Sequence, residues 1–207
     1  MPKERPSPHA FGPILLAAVF LSSSTSTALA DDTADPWLPK GRTVWGWSGA
    51  LGLADGNRAG QSGSFSIVMN RNVTNAVGPG WLRGRMGVVV EIVPLFLLSQ
   101  ESTAHASGFN LLGRHYLDRG GSLRPFITLG AGMLVSAQEI PDRVANLNFT
   151  PQAGIGFMVS DESRHLYTLE IRLHHISNGG RVEPNPGINS VAFQFGILFN
   201  GRRDTTP

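Results

Sequence analysis

Cysteine is absent from the 207 residues, which excludes a disulfide scaffold and the cysteine-based metal motifs. Charge is scarce as well. Asp, Glu, Lys and Arg make up 15% of the chain, against roughly 25% in an ordinary soluble domain. That argues against a disordered charged tail or a charged coiled coil. The 17 basic residues nearly balance the 15 acidic ones, giving +2, and no long basic run occurs, so nucleic acid is not an expected partner. After the N-terminal region no stretch has 18 uninterrupted apolar residues, so no helix is expected to cross a membrane. The chain is instead rich in glycine, with 25 residues, and 41% apolar. That combination suits a β-rich protein or one that lives in lipid.

At the start, Lys3 and Arg5 precede an apolar stretch over residues 14–21, then a Ser/Thr-rich segment and Ala28-Leu29-Ala30 before Asp31. A charged start, a short apolar middle and a small-residue cleavage site predict a secretory signal over residues 1–30. Its removal takes away Lys3, Glu4 and Arg5, leaving 15 basic against 14 acidic residues. Residues 31–207 are then expected to form a single domain, with strands over about 43–199 and a polar tail over 200–207.

The remaining chain divides into segments of alternating character separated by Gly, Pro, Asn, Asp or Ser clusters. The expected strands are 43–53, 62–72, 82–93, 108–117, 123–136, 148–159, 165–177 and 188–199. Each is long enough to cross a bilayer as a tilted strand of about 9–11 residues, and eight is an even number. In the seventh, Tyr167, Leu169, Ile171 and Leu173 share one face, while Thr168, Glu170, Arg172 and His174 share the other. The eighth sets Val191, Phe193, Phe195, Ile197 and Phe199 opposite Ser190, Ala192, Gln194 and Gly196. The third sets Leu82, Met86, Val88, Val90 and Ile92 opposite Arg83, Arg85 and Glu91. Alternation is symmetric under turning a sheet inside out. A soluble lipocalin-like barrel with apolar lumen therefore competes with a membrane barrel whose apolar wall meets lipid and whose charges pair inside. Trp45, Trp47, Trp81 and Tyr167 near segment ends favour the second, as an interfacial girdle. The expected fold is an all-β, eight-stranded antiparallel transmembrane β-barrel. With both termini periplasmic, 118–121 and 160–163 read as short periplasmic turns. Residues 94–107, 137–147 and 178–187 read as longer external connections, and 73–81 fits this scheme less well.

His175 and Ser177 continue the apolar series of the seventh segment on the lipid face, at its outer end. Residues i and i+2 of a strand share a face, so imidazole and hydroxyl are neighbours. Asn189, on the lipid face of the eighth segment, falls beside them. A serine hydroxyl becomes an effective nucleophile when a base takes its proton and a third group orients that base. Ser177, His175 and Asn189 fit those roles in order. Gly179 and Gly180 allow backbone N–H groups to turn toward a developing oxyanion, with Asn178 as a further donor. His115, His165 and His174 read as interface, turn or lumen residues rather than metal ligands.

The run His175-Ile176-Ser177-Asn178-Gly179-Gly180, followed by Pro184-Asn185-Pro186-Gly187-Ile188-Asn189, resembles the signature of the PagL-type lipid A 3-O-deacylases, which are outer-membrane acyloxyacyl hydrolases. Leu169-Glu170-Ile171-Arg172-Leu173, Arg124-Pro125-Phe126-Ile127-Thr128-Leu129-Gly130-Ala131-Gly132 and Pro151-Gln152-Ala153-Gly154-Ile155-Gly156 resemble the family too. The resemblance implies an outer-membrane barrel that removes the 3-linked acyl chain of lipid A. It implies Ser177 as nucleophile, His175 as base, and Asn178 and Gly180 at the oxyanion. It departs at Asn189, where the family pattern has Glu. The partners expected are lipid A of lipopolysaccharide and membrane lipids, with a homodimer left open; no metal or organic cofactor is implied. The alternative, motivated by Asn189, is a catalytically silent barrel with a structural or lipid-binding role.

Overall fold

The computed structural model describes residues 39–55, 60–119, 122–160 and 165–199. The signal segment and the polar tail expected from the sequence lie outside the described residues. The strands are Thr43–Asp55 (β1), Gln61–Asn72 (β2), Gly84–Leu98 (β3), Ala104–Leu117 (β4), Leu123–Ser136 (β5), Leu147–Phe149 (β6), Gln152–Ser160 (β7), Leu166–Ile176 (β8) and Ile188–Phe199 (β9). All pairings are antiparallel between neighbours, β1 pairs with β9, and the β4–β5 pairing closes the ring. Both β6 and β7 pair with β5. They form one stave, interrupted at Thr150-Pro151, where Thr150 and Gly132 exchange two backbone hydrogen bonds of 2.9 and 3.1 Å. Nine segments thus build an eight-stave closed barrel.

Burial decides which side each face sees. Leu51 is 75% exposed, Ile155 64% and Leu173 60%, and Ile171, Phe193 and Phe195 are exposed beside them. Glu91, Asn110, Thr128, Glu170, Arg172 and Gln194 are buried. The greasy wall therefore looks outward, which overturns the soluble alternative, because such a carrier hides its apolar face in the lumen. An exposed apolar surface of this extent belongs in a bilayer. Ile171 sits mid-wall, opposite Phe193 on one side and Ile155 on the other. Ile171→Arg is expected to destabilise the barrel by about 2–4 kcal/mol in urea titrations from lipid vesicles.

Inside, the lumen is filled rather than open. Near the rim where β1 begins, Val44, Val89, Leu112, Phe126, Met158 and Leu198 belong to one apolar cluster. Toward the opposite rim, Val93, Phe96, Leu98, Leu134, Ile140 and Ile176 belong to another. Between them lies a charged layer. Arg172 grips Glu91 with two hydrogen bonds of 2.9 and 3.0 Å and Glu170 with two of 3.0 Å. Arg114 donates to Glu170 at 2.8 Å and lies 4.2 Å over the Phe126 ring. Asn110 and Gln194 donate to Glu91 at 2.8 and 3.0 Å. Two guanidinium groups thus face two carboxylates, so the layer carries no net charge. A cavity of about 40 Å³ beside it, lined by Glu91, Asn110, Arg172 and Gln194 among others, holds little more than one water.

The rim at the start of β1 also carries the short β4–β5 and β7–β8 connections. The longer 73–83 connection folds back there onto β3, with Val77 and Gly84 paired and a 3-10 turn at Gly80–Leu82. The opposite rim corrects one expectation. Residues 94–107 are not a long connection: β3 runs to Leu98, β4 begins at Ala104, and only 99–103 joins them. Pro94 misled the reading. It falls at a bulge, where Val93 and Pro94 together oppose Ser66 of β2, and a bulge tolerates a residue without an N–H. The 137–146 connection folds over this rim, burying Ile140. It is tied to 99–103 by Glu101 N–H donating to Asp142 Oδ2 at 2.8 Å.

Candidate active site

Strands β8 and β9 meet in a register that sets Ile171 opposite Phe193, Leu173 opposite Val191 and His175 opposite Asn189. Directly opposed residues share a face. His175 and Asn189 therefore cap a column of lipid-facing apolar side chains, at the rim remote from the start of β1. The imidazole Nδ1 and the Asn189 Oδ1 are 2.7 Å apart. An amide oxygen only accepts, so Nδ1 carries the proton, and in the neutral ring Nε2 then keeps its lone pair. That is the tautomer a general base requires.

Ser177 follows the end of β8 and pairs with Phe149, each donating its N–H to the other's carbonyl at 3.1 and 2.7 Å. This holds Ser177 on the same outward face as His175, half-buried, with the two α-carbons roughly 7 Å apart. No hydrogen bond joins Ser177 to His175 here; in hydrolases this contact often closes only when substrate is seated. Past Ser177, the chain turns through Gly179 and Gly180, with φ of 70° and 76°. Their backbone N–H groups have no hydrogen-bond partner among the described residues.

Asn178 is engaged differently from its expected part as an oxyanion donor. It is fully buried, and its side chain donates to Val182 O at 2.8 Å and accepts from the Arg181 N–H at 3.0 Å. Its own N–H donates to Asn185 Oδ1 at 3.2 Å. Asn178 thus pins the 177–187 connection, while Arg181 reaches from it to Leu147 O at 2.7 Å and over the Phe149 ring. Of the other histidines, His174 turns into the lumen, edge-on to Phe96. His115 contacts Leu82 O and Met86 Sδ, and His165 meets the Phe199 ring. Among the described residues no three His, Asp or Glu side chains gather as a metal site.

Sequence reading missed Gly187. Its φ is 62°, and a Cβ added there would lie 2.6 Å from His175 Cε1 and 3.1 Å from Nε2. The glycine leaves the space that the imidazole occupies, a contact between the connection before β9 and the end of β8 that no local pattern reveals. Gly187→Val is expected to displace the ring and lower turnover by about 10²-fold or more, since a shift of about 1 Å suffices for that. An unchanged rate in that variant would show that the ring has another place to go.

The sequence model of the lipid A 3-O-deacylase (PagL) family matches residues 79–197, more than half of the chain. The chain belongs to the lipid A 3-O-deacylase (PagL) family. Its fold is similar to the crystal structure of the outer membrane enzyme PagL, with 20% identity, a TM-score of 0.56, and coverage of 75% of this chain and 98% of that one. It is also similar to the outer membrane protein OprG from Pseudomonas aeruginosa, with 10% identity, a TM-score of 0.51, and coverage of 80% and 99%. No curated protein matches the sequence. Family and fold together place this lipid A deacylase-type barrel in the bacterial outer membrane.

Proposed function

We propose that the chain hydrolyses the 3-O-linked acyl chain of lipid A by a serine–histidine mechanism on its lipid-facing wall. The observation that carries this reading is the His175 Nδ1–Asn189 Oδ1 hydrogen bond of 2.7 Å, on the face that also holds Ser177. Ser177 Oγ attacks the ester carbonyl carbon as Nε2 of His175 takes its proton. The Gly179 and Gly180 N–H groups stabilise the oxyanion, in place of the Asn178 side chain. Collapse breaks the bond to the sugar oxygen, which leaves with the proton from His175. Water, deprotonated by His175, then splits the acyl-enzyme and frees the fatty acid.

The surroundings suit an amphiphilic substrate. Below the catalytic row, Gly49, Leu51, Leu169, Phe193 and Phe195 line a shallow groove of about 380 Å³ on the outer wall. An acyl chain lying there places its ester near headgroup level. With the β1-start rim periplasmic, that level is the outer leaflet, where lipid A of lipopolysaccharide resides. No step needs a metal or an organic cofactor. The reading is tested by tandem mass spectrometry of lipid A from cells with and without the expressed chain. It requires a species lacking one acyl chain at the 3 position; loss from another position would move the specificity, and identical spectra would favour a silent barrel.

A further inference from the structure

The β1–β9 register ends with Asp55 directly opposite Asn189. His175 is opposite Asn189 on its other side. Three adjacent strands therefore set Asp55, Asn189 and His175 in one row across the outward face, continuing above the paired apolar residues Leu53, Val191 and Leu173. Directly opposed side chains have Cβ atoms about 4.5–5.5 Å apart, within reach of a hydrogen bond between two short polar groups. Asn189 gives its Oδ1 to His175, which leaves its Nδ2 as a donor, and the neighbouring strand offers a carboxylate.

We propose that Asp55 is a positioning residue for the esterase reaction. It holds the Asn189 amide with Oδ1 toward the imidazole and supplies the negative charge that a glutamate would carry at position 189. This rests on the esterase reading above. An amide can turn either end toward a histidine. When its NH₂ faces Nδ1 the imidazole is locked in the wrong tautomer, the reason an Asp-to-Asn change lowers serine-protease turnover about ten-thousandfold. A carboxylate on the far side accepts from Nδ2 and removes that ambiguity. It also stabilises the imidazolium through the amide, at a distance. The exchange is reciprocal: a glutamate at 189 would meet Asp55 as a like charge directly across two strands, which is destabilising. Asn189 with Asp55 keeps one negative charge in the row, moved by one strand.

The test is labelling of Ser177 in the detergent-solubilised full chain by a long-chain fluorophosphonate, which bonds Oγ to phosphorus and displaces fluoride, together with kcat and KM on lipid A. Asp55→Asn is expected to lower the labelling rate and kcat by roughly 10- to 100-fold with KM unchanged, less than the loss from a directly bonded carboxylate. Asp55→Glu is expected to retain most of the rate. In an Asn189→Glu background the imidazole has its own carboxylate, so Asp55→Asn is expected to leave the rate unchanged or raise it. Equal fractional losses in both backgrounds, or no loss in either, would overturn the assignment of Asp55 and leave the esterase reading intact. Absence of Ser177 labelling in the parent chain would overturn both.

Discussion

Replacing Ser177 by Ala is expected to abolish deacylation while the barrel stays folded. The size of the loss follows from the third member of the row. Removing the nucleophile of a complete triad costs about 10⁶-fold in kcat. A plain amide in the carboxylate position lowers the starting rate by up to about 10⁴-fold. A loss near 10²-fold therefore indicates that Asn189 acts as an unassisted amide, and one approaching 10⁶-fold indicates a row that is fully supported. His175→Ala is expected to cost as much as Ser177→Ala, and the double variant no more than either, because the two act as a unit. Independent, multiplying losses would contradict a shared proton transfer. Turnover of lipid A in mixed micelles reads the rate, and the mobility of unboiled protein on gels reads the fold.

The largest stability effect is expected in the lumen, from Arg172→Met. Arg172 and Glu91 are 4% and 2% exposed, and Arg172 also engages Glu170. Removing the guanidinium leaves Glu91 to Asn110 and Gln194, and Glu170 to Arg114 alone, with one carboxylate charge uncompensated. Breaking a buried pair from one side costs about 3–5 kcal/mol, whereas removing both partners is often neutral. Arg172→Met with Glu91→Gln is therefore expected to recover most of the loss. The contrast is Arg143–Glu101 at the rim, 3.3 Å apart with side chains 84% and 60% exposed, where truncation is expected to cost under about 1 kcal/mol. Urea titrations from vesicles compare the three. Equal costs for the single and double lumen variants would show that the pair is not what the lumen requires.

These two expectations draw on different parts of the sequence. The lumen was legible because β8 and β9 alternate strictly, so Glu170, Arg172 and Gln194 had to share one face, and His175 and Ser177 the other. Inside and outside were legible only weakly, since alternation has no sign; the aromatic residues near segment ends pointed to an outward apolar wall, and the exposure of Leu51, Ile155 and Leu173 established it. The extent of β3 was hidden by Pro94, which reads as a boundary unless the bulge that accommodates it is known. The candidate site was legible along β8 and across to its neighbour β9. Asn189 was found because β8 and β9 are consecutive staves joined by one connection. Asp55 and Gly187 were not: the first meets Asn189 only where the barrel closes β1 on β9, and the second meets His175 through a turn whose φ is invisible in the sequence. Asn178 was recognised by its place beside Ser177, but its side chain folds into the connection it stabilises.

Ser177 and His175 are expected on the membrane-facing wall at headgroup level. Because the chain has no cysteine, Ser177→Cys carries a single spin label whose surroundings electron paramagnetic resonance reads in lipopolysaccharide-containing bilayers. That placement predicts ready collision with oxygen, and collision with a water-soluble nickel chelate between that of mid-wall Phe193→Cys and that of Val182→Cys in the β8–β9 connection. A label at 177 shielded from both, as a lumen side chain would be, would contradict it.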